Sequence, residues 1–258
     1  MSKLLEDVKT VVRETANIML EVTPEALEVV AKEGHGNFVT DYDVRVQKML
    51  FERLEKVLPE AEFLGEEGEG DKVVGAGYTF IIDPIDGTSN FICGYGHSAI
   101  SVALALDGEV VLGVVYNPYR DEMYWAEKGE GSFLNGRKLT MVDRPMEKGL
   151  VACGTAPYRL DLTDKTFETM KKGFLNSMDL RRVGSAALDL CYTAANRNVL
   201  FFEWVLLPWD YAAASLVITE AGGLFSQMDG SPVRTGDTCS ILAGVKTAVE
   251  DFHRVTGI

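Results

Sequence analysis

Asp83 and Asp86 stand three residues apart in the stretch Asp83-Pro84-Ile85-Asp86-Gly87-Thr88-Ser89-Asn90, directly after the apolar run Tyr78-Thr79-Phe80-Ile81-Ile82. Carboxylates that converge just past a strand end, with backbone carbonyls beside them, are the ligands that hard divalent cations take. Gly87 lets a backbone approach closely. Thr88 and Ser89 can start a helix whose free N–H groups would receive a phosphate. An Asp-Pro turn with an Asx cap is the plainer alternative.

Four further stretches carry residues suited to the same chemistry. Gly65-Glu66-Glu67-Gly68-Glu69-Gly70-Asp71 reads alone as a solvated acidic turn, although a bound cation would offset the repulsion between adjacent acids. The strand-like Ala61-Glu62-Phe63-Leu64 ahead of it would hold Glu66 at a defined strand end. Leu207-Pro208-Trp209-Asp210 precedes an alanine-rich helix, where Asp210 alone is an N-cap. In Phe38-Val39-Thr40-Asp41-Tyr42-Asp43, Asp41 or Asp43 can likewise be a cap. Val183-Gly184-Ser185-Ala186-Ala187 is a small-residue helix start that either approaches a ligand or packs tightly against a neighbour.

The elements that must position these residues follow from periodicity. Leu4, Val8, Val11, Val12 and Met19 recur at helical spacing. A second helix is expected from about Pro24 to Lys32, with Thr23 as N-cap, broken by Gly34-His35-Gly36-Asn37. A third begins near Asp43 and stops at Pro59. Strands dominate next: Ser98 to Leu106 and Glu109 to Tyr116 flank Asp107-Gly108, a hairpin turn, and Glu122 to Ala126 and Ser132 to Leu134 continue an antiparallel meander. The last third alternates. Helices are expected around Leu162 to Asn176, from Gly184-Ser185 through Ala194, and from Tyr211 to Ala221. Strands are expected at Leu180 to Val183, Leu200 to Glu203, Leu224-Phe225 and Ile241 to Val245. This is an α+β pattern with mixed sheets. It reads as one unit over 1–258, with approximate subdomains 1–145 and 146–258.

The balance of 25 Lys+Arg against 39 Asp+Glu, a net charge of −14, argues against a nucleic-acid or anionic-membrane partner. A phosphate substrate would have to be met by bound cations or helix N-termini. Cys93, Cys153, Cys191 and Cys239 with three histidines make no zinc spacing and read as reduced, mostly buried thiols. No run approaches a membrane span, and the N-terminal residues lack a signal-peptide core, so the expected location is the cytoplasm.

Together the five stretches resemble the inositol monophosphatase family, within the lithium-sensitive, magnesium-dependent sugar phosphatases that include fructose-1,6-bisphosphatase. The resemblance runs from Lys32 to about Gly230. It rests on Ile81-Ile82-Asp83-Pro84-Ile85-Asp86-Gly87-Thr88-Ser89-Asn90-Phe91, on Trp209-Asp210-Tyr211-Ala212-Ala213-Ala214 through Glu220-Ala221-Gly222-Gly223, and on Gly65-Glu66-Glu67 upstream. It implies a layered αβαβα sandwich and commonly a homodimer. It also implies two or three Mg2+ ions held by Glu66, Asp83, the Ile85 carbonyl, Asp86 and Asp210. The implied reaction is direct in-line attack of a metal-activated water on a small phosphomonoester.

By the same resemblance Thr88 and Asp43 orient or deprotonate the nucleophile, with Glu66 a possible base. Gly87 and Thr88 hold the phosphate through N–H groups. Asp86, Gly184, Ser185, Ala186 and Glu203 read the substrate hydroxyls. Glu67 supports the metal site from behind, and Lys32 belongs to a mobile loop. The substrate implied is inositol 1-phosphate or a similar polyol or sugar phosphate. The alternatives are fructose 1,6-bisphosphate, histidinol phosphate and 3′-phosphoadenosine 5′-phosphate, or, in another class, a regulatory interaction protein of the same fold. A nucleotide or bisphosphate substrate calls for cations at the rim, where Arg181, Arg182 and Arg197 are the nearby candidates. One departure stands out: Asn196-Arg197-Asn198-Val199 precedes Leu200-Phe201-Phe202, and Val199 occupies the place of a common aspartate, at the expected substrate rim.

Overall fold

Ser2 caps α1 (Lys3–Leu20) by accepting the Leu5 N–H at 3.2 Å. Leu5, Val8, Val12, Ala16 and Met19 then form one buried stripe, as the helical period requires. The computed structural model describes residues 1–22, 27–68 and 74–258. Thr23 and Pro24 of the expected second helix, and Glu69, Gly70 and Asp71 of the acidic run, lie outside the described residues.

Within the described part of that stretch, Val29–Ala31 form a strand and not a helix. β1 (Val29–Ala31) pairs antiparallel with β2 (Phe38–Thr40), Val30 opposite Val39. Two β-branched valines in succession favour the pleated form. Gly34 and Gly36 at φ 98° and 67° turn the chain, and the Lys32 N–H donates to Asn37 O at 2.9 Å. Asp41 belongs to this hairpin: its N–H bonds Glu28 O and its carboxylate accepts the Glu28 N–H, both at 3.2 Å. It also opens α2 (Asp41–Val57), two residues earlier than expected, because Thr40 and Asp43 form a reciprocal capping box.

β3 (Glu62–Gly65) and β4 (Tyr78–Asp86) run parallel, and after α3 (Thr88–Ile92) the meander β5 (Ala99–Leu106), β6 (Glu109–Asn117), β7 (Glu122–Glu127), β8 (Gly131–Leu134) and β9 (Arg137–Lys138) completes a seven-stranded sheet among the described residues. Asp107 and Gly108 both take positive φ at the expected hairpin. A second sheet follows, in the order β11-β10-β12-β14-β13. Its parts are β10 (Leu150–Cys153), α4 (Thr163–Leu175), β11 (Asp179–Arg181), α5 (Ala186–Ala194), β12 (Leu200–Leu206), α6 (Pro208–Glu220), β13 (Leu224–Ser226), β14 (Cys239–Gly244) and α7 (Lys246–Thr256). β10, β9 and α7 were not expected from periodicity. β10 is a four-residue, mostly buried interior strand, and α7 is only 11 residues long.

Strand alternation sorts side chains between layers. Phe80 and Ile82 join Leu5, Val8, Leu50 and Leu54 under α1 and α2. Ile81, Ala103 and Val115 face the other way, against Leu188, Ala212 and Val217 of α5 and α6. Phe201 and Ala243 of the second sheet close that middle layer from beyond, while Phe202 and Leu242 look outward to Val249 and Phe252 of α7. The result is the αβαβα sandwich. No helix among the described residues is long and apolar enough to cross a membrane. Cys153 and Cys191 are buried, Cys239 is half-buried and Cys93 is exposed; all four are free thiols.

Candidate active site

Residues three apart on a regular strand point to opposite faces, so Asp83 and Asp86 could not share a site if β4 were regular. It is not. Asp83 faces Ser101 and Asp86 faces Ala99, a register shift of one residue. The bulge rephases the strand and brings both carboxylates to one side. Asp83 Oδ1 accepts the Ile85 N–H at 3.0 Å, fixing the bulge from within. The third acid arrives on α6, whose Ala212, Ala213 and Ala214 are buried. Gly113 on β6 makes this close approach possible, since a Cβ there would overlap Ala213 O. Asp210 Oδ2 accepts the Leu207 N–H at 2.7 Å and so completes the first turn. One carboxylate oxygen from each of Asp83, Asp86 and Asp210 lies within 4.8 Å of the others.

Glu66 continues the β3 ladder, its N–H donating to Ile82 O at 3.1 Å. Gln47, which the spacing of the sequence does not flag, holds the turn: its Oε1 accepts the Glu67 N–H at 2.9 Å and its Nε2 donates to Glu67 O. Lys32 reaches Glu66 Oε1 at 3.0 Å and also bonds Glu67. Four acids are thus crowded into low dielectric. Burial first, then Glu66, Asp86 and Asp210, push Asp83 well above the usual carboxylate range. Burial and Asp86 do the same to Asp210. Burial lifts Glu66, with Lys32 opposing. An all-oxygen set of this kind, with one ammonium beside it and neither Cys nor His within it, fits hard divalent cations.

Beside the acids, Gly87 caps α3 at φ 89°, and a Cβ there would stand 2.9 Å from Gly184 O. The Thr88 hydroxyl lies 3.3 Å from Asp43 Oδ1 and 3.2 Å from Ile85 O. Asp43 is fully buried, its other oxygen taking the Thr40 N–H at 2.7 Å and the Thr40 hydroxyl. Burial raises its carboxyl to about 6. Asp43 is therefore both cap and partner of Thr88.

At the other end, Ser185 caps α5. The Ser185 hydroxyl and the N–H groups of Ala186 (3.2 Å) and Ala187 (3.0 Å) all donate to Asp86. Burial still lifts Asp86 to about 6 against these bonds. Asn90 ties the two sides together, donating to His97 O at 2.8 Å and Val183 O at 2.7 Å. Glu203 on β12 accepts the Ala156 N–H at 2.8 Å, and burial raises it to about 7. Glu66, Asp86, Thr88, Ser185, Glu203 and Asp210 line one cleft.

A model of the inositol monophosphatase family matches residues 1–255. The chain belongs to this family. An inositol-1-monophosphatase of Rhizobium meliloti is 39% identical over 218 residues, 83% of this chain and 81% of that protein. The Nus factor SuhB of Escherichia coli K12 is 37% identical over 210 residues, 81% and 78% of the two chains. The crystal structure of the extragenic suppressor protein suhB from Bartonella henselae superposes with a TM-score of 0.91 at 31% identity, covering 98% of each chain.

Two expectations drawn from the inositol monophosphatase pattern need correction. Val199 is fully buried in the outer core of the second sheet, over Gly149, where a Cβ would overlap it; the departure it marks is in the core and not on the cleft. Of the three candidate rim cations only Arg182 lines the cleft, donating to Thr155 Oγ1 at 2.9 and 3.1 Å. Arg181 pairs with Asp179, and Arg197 forks onto Glu122. Unforeseen cleft residues include Asn37, Gly154, Tyr158 and Asp189. Gly154 and Tyr158 sit in a segment with no motif of its own, and Asn37 and Asp189 carry no signal apart from the glycine loop and the helix that hold them, so only the folded chain brings the four together.

Proposed function

We propose that this chain is a single phosphatase unit that hydrolyses a small phosphomonoester, inositol 1-phosphate or a similar polyol or sugar phosphate, by in-line attack of water on phosphorus. The observation that carries the proposal is the convergence of Asp83, Asp86 and Asp210 within 4.8 Å, in a cleft that also holds Glu66, Thr88 and Glu203. Two or three Mg2+ ions would be held by Glu66, Asp83, the Ile85 carbonyl, Asp86 and Asp210. When bound they neutralise phosphate, lower the pKa of water and stabilise a leaving oxygen.

The chain's own residues do the rest. The Thr88 hydroxyl, set between Asp43 and Ile85 O, orients the attacking water, and Asp43, near 6, is placed to take its proton through Thr88. The N–H groups of Gly87 and Thr88 hold the phosphate oxygens as charge develops. Glu203, anchored on Ala156 N–H, accepts hydrogen bonds from substrate hydroxyls. Glu67 positions Lys32, and the β1–β2 turn covers the cleft as a lid.

The test is phosphate release with Mg2+ from inositol 1-phosphate, fructose 1,6-bisphosphate, histidinol phosphate and 3′-phosphoadenosine 5′-phosphate. The first is expected to turn over fastest, and Asp83→Asn to abolish release while the protein stays folded by circular dichroism. Full activity in that variant would sink the metal assignment. The likeness to a protein named Nus factor SuhB favours a second reading, a regulatory interaction protein. That reading expects no release from any of the four. A cytoplasmic homodimer inhibited by Li+ completes the proposal; a monomer mass by light scattering, or indifference to Li+, contradicts the corresponding part.

A further inference from the structure

Asp189 sits on α5 one turn beyond Ser185 and lines the same cleft. It is 2% exposed. Its Oδ1 is buried and has no hydrogen-bond partner among the described residues. The other acids of the cleft are engaged: Asp86 by the start of α5, Glu203 by Ala156, Asp210 by Leu207 and Glu66 by Lys32. The cation felt at Asp189 is Arg182, whose guanidinium is committed to Thr155. The helix does not need the carboxylate, because Ser185 already caps it. Asp189 is also outside the group formed by Asp83, Asp86 and Asp210.

A buried carboxyl without a partner costs stability. Here the cost has no visible structural return. Asp189 and Glu203 line the same cleft, and the charges of Asp86 and Glu203 are both felt at the Asp189 carboxyl. Two acceptors lining one cleft match two hydroxyls of one alcohol. We propose that Asp189 is a specificity-determining residue that, with Glu203, accepts hydrogen bonds from two hydroxyls of the substrate's alcohol. The preferred substrate class is then a phosphomonoester whose alcohol carries at least two further free hydroxyls. The inference rests on the phosphatase reading above.

The experiment compares inositol 1-phosphate with phenyl phosphate, which offers no hydroxyl, for the wild type, Asp189→Leu and Asp189→Asn, with thermal unfolding of each. Leucine removes both oxygens at similar size. It is expected to lower the kcat/KM ratio of inositol 1-phosphate to phenyl phosphate about tenfold, the worth of one hydrogen bond, chiefly through KM on inositol 1-phosphate. Its Tm should match or exceed that of the wild type, because an unpaired buried polar group has been removed. Asparagine, which still offers an acceptor, should lose less. An unchanged ratio in Asp189→Leu overturns the proposal, as does a lowered Tm with both substrates losing equally. If Asp189→Leu does not fold, the ratio in Asp189→Asn decides: any drop supports the proposal and no drop overturns it. Wild-type release from phenyl phosphate alone refutes the role of Asp189 but leaves the phosphatase reading standing; release from neither substrate refutes both.

Discussion

Thr88 has two acceptors for its hydroxyl at nearly equal distance, Asp43 Oδ1 at 3.3 Å and Ile85 O at 3.2 Å. A hydroxyl held in this way can turn its lone pair to a water without losing its place. Thr88→Ala should lower kcat by roughly 10²-fold with little change in KM, while Thr88→Ser should recover most of the loss. Steady-state kinetics on inositol 1-phosphate check both, and a loss confined to KM would contradict the assignment. Asp83, Asp86, Gly87 and Thr88 were legible because one short run contains them. Glu66 and Asp210 were legible only as members of a set, since each alone is an ordinary turn or cap residue. Gln47 and Asp189 were not legible. A glutamine within an amphipathic helix and an aspartate in a small-residue helix acquire meaning only from what the fold sets opposite them.

At the scale of elements, the site is an agreement between a bulged strand and two helix starts. α5 brings its first N–H groups onto Asp86, and α6 carries Asp210 in its first turn. Partial positive charge at both ends favours the carboxylates they meet. The position of α6 depends on Gly113. Gly113→Val should wedge the helix from the sheet, costing about 1–3 kcal/mol in urea unfolding and raising the Mg2+ concentration for half-maximal activity. An unchanged Mg2+ requirement would show that Asp210 is placed by other contacts. Most elements could be read from period and punctuation: α1, the Asp107-Gly108 hairpin and α5 lie where apolar spacing and caps put them, while α2 and α6 begin two and three residues earlier than expected, at Asp41 and Pro208, so that Asp210 is the third residue of its helix and not its N-cap. The segment before Gly34 misled because Val29, Val30 and Ala31 suit either form, and the partner strand Phe38–Thr40 decided it. β10 carries no sequence signal of its own, because a short buried strand has no alternation to show.

For the whole molecule, the acids of one cleft link folding to pH and to cations. Burial holds Glu203 near 7 and Asp43 and Asp86 near 6, against ordinary values of 4.5 and 3.8. The folded chain therefore binds these protons more tightly than the unfolded chain. Their contribution to stability is complete below about pH 4 and is lost as pH rises through 6 to 7. Mg2+ replaces protons as the counter-charge, so the gain in Tm on adding Mg2+ over EDTA should grow from pH 4.5 to 7.5. The corresponding gain in unfolding free energy should approach about 2.7 kcal/mol at a hundredfold excess over Kd. Equal gains at both pH values would separate the acids from the cation. The overall charge of −14 thus has a local component, concentrated where the two sheets share a helical layer.

The one-residue register shift between Asp83 and Asp86 bears on how the gene can vary. Most substitutions change one side chain, but a codon gained or lost here changes the parity of every residue on one side of it. Deleting Pro84 or Ile85 would turn a carboxylate into the apolar layer or lift Phe80 and Ile82 out of theirs. Insertions and deletions should therefore be purged from this stretch far more strictly than point changes, and a deletion scan across 78–90 should find its sharpest minimum inside the bulge.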